Sequence, residues 1–180
     1  MLQLNRTLPV ALCLLAACAN PDMKGPGDVA ENPADSLRDP VTVMLKAYEN
    51  DFVTCELTEG NELKGQLFAN RPSAGDWERF TMYTKPDGRV VFQAANGKYV
   101  CSDALQGGLL VADRDKPGDW ETFSLVPQDN GQMAIKTHDG SFVSADYGVE
   151  GARNGVLIGD RKELKEWERF TLLKDTVALP

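Results

Sequence analysis

The sequence predicts an all-β domain built from three repeats of four strands, and three observations support this prediction. The phrase DWERF at 76–80 recurs as DWETF at 119–123 and as EWERF at 166–170. From residue 41 onward, short apolar stretches alternate with turn sequences such as KPDG and QDNG, without a sustained helical period. The repeats fill residues 41–180, so they account for the whole domain.

Each strand of a repeat has its counterpart in the other two. The segments LFANRPSAGDWERFTM (67–82), LVADRDKPGDWETFSL (110–125) and LIGDRKELKEWERFTL (157–172) align without a gap. Upstream of them, FV, YV and FV recur at 52–53, 99–100 and 142–143. We therefore predict unit one at about 41–88, unit two at 89–131 and unit three at 132–180. Such units bury their apolar faces by closing into one barrel with a shared core.

The repeated pattern G-x-[YF]-V, L-x-A-x-R and G-D-W-E-x-F-x-L resembles the fascin-type β-trefoil, also called the actin-crosslinking fold. This resemblance covers the chain from residue 41 and implies a β-trefoil with pseudo-three-fold symmetry. The Gln-x-Trp signature of ricin-type lectin trefoils is absent. Fascin bundles actin with several trefoils in tandem, so a single trefoil outside the cytoplasm is not expected to bundle actin.

The Trp phrase is predicted to be structural. Because alternate residues of a strand share a face, the Phe residues of the phrase are expected to point into the barrel together with the Glu residues. A buried carboxylate needs a partner, and an Arg stands seven residues before each Glu. We predict the pairs Arg71–Glu78, Arg114–Glu121 and Arg161–Glu168, and we expect the Trp rings over the barrel end: Trp77, Trp120 and Trp167.

A binding site is predicted where the repeats differ. The segment from the aromatic-Val pair to the Arg spans 18 residues in units one and three but 14 in unit two. In unit three it carries Asp146, Tyr147, Arg153 and Asn154, which offer one aromatic ring and several hydrogen-bonding groups. These four residues are the predicted ligand-binding set. The alternative is that the long loops are simply solvated.

Composition and motifs limit the function classes. The net charge of -8 argues against a nucleic-acid groove, which needs clustered Lys and Arg. There is no G-x-S-x-G, H-E-x-x-H or CxxC motif, and the single His, His138, stands at a turn. We predict a non-catalytic monomer without metal or cofactor, although spacing does not exclude a carboxylate pair. Because secreted bacterial trefoils of this resemblance often accompany carbohydrate-active enzymes, the expected ligand is a polysaccharide or other glycan; the alternative is a protein-interaction or structural module.

The N-terminal residues resemble a lipoprotein signal. Residues 1–17 contain one charge, Arg6, and an apolar run shorter than the roughly 20 residues that span a bilayer. They end in LAAC, which resembles the bacterial lipobox and implies that Cys18 is lipidated; the alternative is ordinary cleavage nearby. Residues 18–40 are rich in Pro and Gly and are predicted to be a flexible tether. We expect a lipid-anchored extracytoplasmic protein with no other membrane contact. The resemblance to sorted lipoproteins, with Ala19 rather than Asp after Cys18, implies the outer rather than the inner membrane.

Two further cysteines, Cys55 and Cys101, lie in the predicted domain. In the repeat alignment Cys101 matches Thr54, so the two thiols stand on opposite faces of equivalent strands. This offset argues against a disulfide without local distortion, but the sequence leaves the bond open.

Overall fold

In a computed structural model, residues 37–175 are described, and they form a β-trefoil of twelve strands. Unit one contributes β1 (Arg38–Lys46), β2 (Phe52–Cys55), β3 (Leu67–Arg71) and β4 (Phe80–Thr84). Unit two contributes β5 (Val90–Gln93), β6 (Tyr99–Asp103), β7 (Leu109–Arg114) and β8 (Ser124–Pro127). Unit three contributes β9 (Met133–Lys136), β10 (Phe142–Asp146), β11 (Val156–Arg161) and β12 (Arg169–Lys174). Single 3-10 turns lie at Ala104–Gln106, Asp129–Gly131 and Gly151–Arg153.

The first and fourth strands of the three units form a closed barrel. β1 pairs antiparallel with β4 and β12, β4 pairs with β5, and β9 pairs with β8 and β12. A bridge between Val90 and Phe123 joins β5 to the residue before β8 and completes the ring of six strands. Closure leaves the barrel strands without free edges.

The second and third strands of each unit form hairpins that meet one another. β2 pairs with β3, β6 with β7 and β10 with β11. Bridges between Val156 and Phe68, and between Ile158 and Leu109, connect neighbouring hairpins. The all-β class, the four strands per unit and the pseudo-three-fold symmetry predicted from the repeats are therefore confirmed.

Three glycines lie where the hairpins meet, and the sequence analysis did not identify them. Gly65, Gly108 and Gly155 have φ values of +87°, +85° and +74°, in the left-handed region that glycine tolerates best. Their carbonyls accept hydrogen bonds of 2.7 Å from β7, β11 and β3, each in the next hairpin around the molecule. A Cβ on Gly108 would lie 2.8 Å from the Gly159 carbonyl oxygen. Contact between hairpins therefore excludes a side chain at Gly108, and likewise at Gly155, where a Cβ would lie closer still to the Ala69 carbonyl oxygen.

The barrel core consists of equivalent residues from the three units. Phe80, Phe123 and Phe170, the Phe residues of the Trp phrase, are at most 1% exposed, which confirms their predicted inward orientation. The third strands add Leu67, Leu110 and Leu157, and the first strands add Leu45, Phe92 and Ile135. The apolar alternation around the Trp phrase thus accounts for the core.

One predicted boundary is wrong by a few residues. β1 begins at Arg38, whereas the tether was predicted to extend to residue 40. Arg38 pairs with Thr84, and a register shift between Arg38 and Val41 accommodates Asp39, whose φ is +50°. The strand signal is masked in the sequence by the turn-like Asp-Pro before Val41. The predicted signal peptide, Cys18 and most of the tether lie outside the described residues.

Candidate functional site

Each unit connects its third and fourth strands by a loop that contains the Trp, here called the Trp loop: residues 72–79, 115–123 and 162–168. The Glu after each Trp is between 4% and 6% exposed. Its carboxylate accepts a hydrogen bond from the backbone N–H three residues earlier, at 2.6 Å from Gly75, 2.6 Å from Gly118 and 2.7 Å from Lys165. The Trp carbonyls accept backbone hydrogen bonds from Cys55, Ser102 and Ala145 on the second strands. These bonds fix the loop conformation in all three units.

Two of the three predicted Arg–Glu pairs are within ion-pair distance. Arg71 Nε lies 3.9 Å from Glu78 Oε1, and Arg114 Nε lies 3.7 Å from Glu121 Oε1. The third prediction, Arg161–Glu168, is wrong. Within the part of the chain that the structure describes, Arg161 pairs with Asp146 at 2.9 Å and with Asp160 at 3.0 Å.

A second set of acids, which the sequence analysis missed, lies beside the same Arg residues. The residue three places after the repeated Val of the second strand contacts the same Arg in each unit: Glu56 at 3.6 Å, Asp103 at 3.4 Å and Asp146 at 2.9 Å. Each Arg thus stands beside two acidic positions, and in unit three Asp146 binds it most closely. The signal was available in the sequence, because the repeat alignment places an acid at this position in all three units.

The Trp loops also line surface depressions. Depressions of about 440 Å³ in unit one, 260 Å³ in unit two and 640 Å³ in unit three each include the Trp, the following Glu and the repeated Arg. Trp77 and Trp167 are half-buried, whereas Trp120 is 44% exposed. The three copies of the phrase therefore differ at the surface while agreeing in the core.

The depression of unit two combines an exposed indole with ordered polar groups. The ring of Trp120 packs edge-on against His138, with 5.5 Å between ring centroids. Leu105, at the centre of a 3-10 turn, is 97% exposed on the same depression. Asp103 caps this turn by accepting hydrogen bonds from Gln106 Nε2 at 3.0 Å and from the Leu105 N–H at 2.9 Å. These bonds, Gln106 first, lower the pKa of Asp103, so its carboxylate is held ionised and oriented.

The four ligand-binding residues predicted in unit three do not form one exposed cluster. Asp146 binds Arg161 and accepts the Gly148 N–H at 2.9 Å. Asn154 donates to the carbonyls of Tyr147 and Val149 at 3.3 and 3.0 Å, so its amide holds the loop closed. Arg153 lies exposed at the end of a 3-10 turn. Their ligand-binding role stays a prediction, but Asp146 and Asn154 have structural partners.

Tyr147 packs inward rather than presenting a free face. Its ring lies edge-on to Trp167, with 5.9 Å between centroids, and it packs against the core. Its hydroxyl is buried beside the backbone of Glu49 and makes no hydrogen bond of normal geometry. Burial raises the pKa of Tyr147 to about 12, and the negative charges of Asp51 and Glu49 contribute to the rise.

The two domain cysteines are free and buried, Cys55 at 0% and Cys101 at 2% exposure. Burial raises the pKa of each thiol to about 12, which makes both poor nucleophiles. Within residues 37–175, no three His, Cys, Asp or Glu side chains are grouped to hold a metal ion. No helix in this range is long and apolar enough to cross a membrane.

No protein-family model matches the chain, and no curated protein sequence matches it. Solved structures match its fold. The designed 3-fold symmetric protein ThreeFoil is 15% identical with a TM-score of 0.61, over 73% of this chain and 97% of that one. The Rhizoctonia solani agglutinin is 16% identical with a TM-score of 0.58, over 77% of this chain and 97% of that one.

A larger enzyme contains a similar domain. The GlcNAcα1-4Gal releasing endo-β-galactosidase of Clostridium perfringens is 14% identical with a TM-score of 0.59. The match covers 75% of this chain but only 32% of the galactosidase. At these identities the likeness shows the β-trefoil fold.

Proposed function

We propose that the chain is a non-catalytic module that binds carbohydrate in the depression of unit two. The observation that carries this proposal is the exposure of Trp120, 44%, in a depression that also holds Asp103 and Arg114. An aromatic ring packs against the apolar face of a sugar, while the Arg114 guanidinium, whose side chain is 44% exposed, donates hydrogen bonds to its hydroxyls. The ring is held in place by His138, so little ordering is needed on binding.

Two further facts support carbohydrate as the ligand class. An agglutinin and a galactosidase are among the structures that share the fold. The repeated pattern resembles that of fascin-type trefoils, which in secreted bacterial proteins often accompany carbohydrate-active enzymes. We infer membership of that group from the pattern and from the fold together.

The test is a glycan array, followed by titration of an identified neutral glycan into the wild type and two Trp variants. Trp120→Ala is expected to weaken binding at least tenfold, because it removes the exposed ring. Trp77→Ala is the matched control, since Trp77 belongs to the same phrase but is half-buried. The site is wrong if a folded Trp120→Ala variant binds like the wild type, with thermal melting as the check on folding.

A protein partner is the second candidate, and the exposure of Leu105 favours it. Leu105, 97% exposed, lies on the same depression as the exposed Trp120, and adjoining exposed apolar side chains mark interaction surfaces. Leu105→Ser separates the two functions. If a glycan binds, the substitution is expected to change its affinity less than Trp120→Ala does. Failure of every glycan on the array to bind would favour the protein partner.

We also propose that Cys18 carries the lipid that anchors the domain outside the cytoplasm, in the outer membrane, with residues 18–37 as the tether, up to the start of β1. The support is the LAAC sequence and the Pro- and Gly-rich segment behind it. Wild type is expected to partition into detergent and Cys18→Ser into water. Aqueous partitioning of both proteins would contradict the anchor.

A further inference from the structure

A depression distinct from the three Trp-lined ones, also of about 640 Å³, lies where unit three meets the first hairpin turn of unit one. It is lined by Tyr48, Gln132, Lys165, Glu166 and Arg169, and we call it the seam depression. Tyr48 comes from the turn between β1 and β2, Gln132 precedes β9, and Arg169 begins β12. The depression shares Lys165 and Glu166 with the Trp-lined depression of unit three but presents a different wall.

Arg169 is the cation of the seam depression without a counterion. Its counterpart in unit one, Arg79, is neutralised by Asp175 at 3.1 Å and Asp76 at 3.6 Å, and it also donates to the Gly75 carbonyl. The counterpart in unit two is Thr122. Across residues 37–175, the guanidinium of Arg169 has neither an ion pair nor a side-chain hydrogen bond.

Tyr48 supplies an exposed ring beside this cation. Its side chain is 54% exposed, which makes it one of three large apolar side chains with high exposure in residues 37–175. The same turn position holds Ala95 in unit two and His138 in unit three, where the His packs against Trp120. The Tyr48 ring therefore remains available to a ligand, and the Gln132 amide adds a donor and an acceptor.

The other charges of the depression leave Arg169 as the anion-binding group. Lys165 Nζ lies 3.1 Å from Glu163 Oε2, so its charge is compensated. Glu166 contributes one carboxylate to the lining, which is a like charge for an anionic ligand. A guanidinium binds a carboxylate through two parallel hydrogen bonds, and a phenol ring packs on the apolar face of a pyranose.

We propose that the seam depression binds an acidic saccharide of the uronic acid class. The uronate carboxylate pairs with Arg169, and the sugar ring packs against Tyr48. This inference rests on the proposed function in taking a saccharide as the ligand, but it assigns a different site and a different chemistry. The unit-two depression has an exposed indole and an acid, whereas the seam depression has an exposed phenol and a free guanidinium.

The test is calorimetric titration of an oligogalacturonate into the full chain, with its fully methyl-esterified form as the neutral probe. We expect the acid form to bind and the ester to bind at least tenfold more weakly. Arg169→Thr and Tyr48→Ala install the residues that unit two carries at the same positions, Thr122 and Ala95. Both variants are therefore compatible with the fold, and each is expected to weaken oligogalacturonate binding at least tenfold.

Arg79→Thr is the matched control, because it removes the same side chain from the same position of unit one and is expected to leave oligogalacturonate affinity unchanged. Glu166→Gln is expected to raise affinity two- to threefold by removing a like charge. Absence of oligogalacturonate binding, equal binding of the ester, or equal losses in Arg79→Thr and Arg169→Thr would overturn the proposal. Tighter binding of a sulfated oligosaccharide than of oligogalacturonate would also overturn the proposal, because the guanidinium would then bind sulfate rather than a carboxylate.

The two proposals fail separately. If no neutral glycan binds on the array, the unit-two site is contradicted, while the oligogalacturonate titration still decides the seam depression. If oligogalacturonate binds and only Trp120→Ala weakens it, the seam depression is wrong and the acidic ligand belongs to unit two.

Discussion

The junction of the three hairpins and the rim of Trp loops show opposite degrees of repetition. At the junction, all three units use glycine at the same position, with a positive φ and a carbonyl hydrogen bond of 2.7 Å to the next hairpin. At the rim, the residue two places after the Trp is different in character in each unit: Arg79 with two counterions, Thr122, and Arg169 without a counterion. Repetition therefore marks the positions that make the fold, and divergence marks those free to acquire ligands.

The buried Glu of each Trp loop lies between these extremes. Its backbone hydrogen bond is the same in all units, but its ion pair is present in units one and two and is replaced in unit three. The hydrogen bond from the backbone N–H to the buried Glu is therefore the same in all three units. The part that faces solvent differs in unit three, where Arg161 keeps the contact with Asp146 but is not paired with Glu168.

The largest expected effect comes from breaking the glycine junction. Gly108→Ala places a Cβ 2.8 Å from the Gly159 carbonyl oxygen at a φ of +85°. We expect a loss of roughly 3 kcal/mol or more in the free energy of unfolding, from left-handed strain together with overpacking. Urea denaturation measures this loss.

Gly107→Ala is the matched control for that substitution. Gly107 is the preceding residue and also has a positive φ, +69°, but a Cβ at this position would meet no atom within 4 Å. Its loss should be confined to the strain of the left-handed conformation, about 1–2 kcal/mol. Equal losses in the two variants would show that contact between hairpins does not require glycine.

A smaller effect is expected from removing the buried carboxylates. Glu78→Ala and Glu168→Ala each remove the acceptor of a backbone N–H, which costs about 1.5–3 kcal/mol for a hydrogen bond to a charged group. Glu78→Ala should cost up to about 1 kcal/mol more, because it also removes the ion pair with Arg71, whereas Glu168 is not paired with Arg161. The control is Glu163→Ala, because Glu163 is an exposed acid of the same loop as Glu168. A greater loss in Glu168→Ala than in Glu78→Ala would contradict the assignment of the Arg partners.

The fold could be predicted from the repeats because the same core-forming residues occur at equivalent positions in all three units. Alternation around Phe80, Phe123 and Phe170 indicated the barrel core, and the Arg–Glu interval indicated two of three ion pairs. The glycine junction was visible in the alignment as well, two residues before the repeated Leu. It was missed because its purpose, backbone contact between hairpins of different units, exists only after the units assemble.

The candidate sites were less predictable, because they depend on which side chains remain unsatisfied after folding. Asp146 and Asn154 have the chemistry of ligand-binding residues, but local partners engage them. Trp120 and Trp167 occupy the same place in the phrase, yet one is exposed and the other packs against Tyr147. The partners of Asp146, Asn154 and Trp167 lie in the same unit but meet them only once its loops have folded, and Trp120 meets His138 of the next unit. Spacing along the sequence therefore could not predict which side chains remain exposed.

The smallest change in the free energy of unfolding at neutral pH is expected from a substitution at Tyr147. This residue is an aromatic side chain packed against the core, in contrast to the exposed Trp120. Since the Tyr147 hydroxyl makes no normal hydrogen bond, Tyr147→Phe should change the free energy of unfolding by less than about 0.5 kcal/mol at pH 7. The pKa of Tyr147 is raised from 10.0 to about 12 in the folded protein, so the folded state favours the neutral phenol. The stability that this preference contributes is fully present below pH 10 and is lost as the pH rises toward 12. The Phe variant cannot ionise there, so it should become progressively more stable than the wild type above pH 10. Urea denaturation of both proteins at pH 7 and across the alkaline range measures the difference, and parallel pH profiles would show that the hydroxyl is solvated rather than buried.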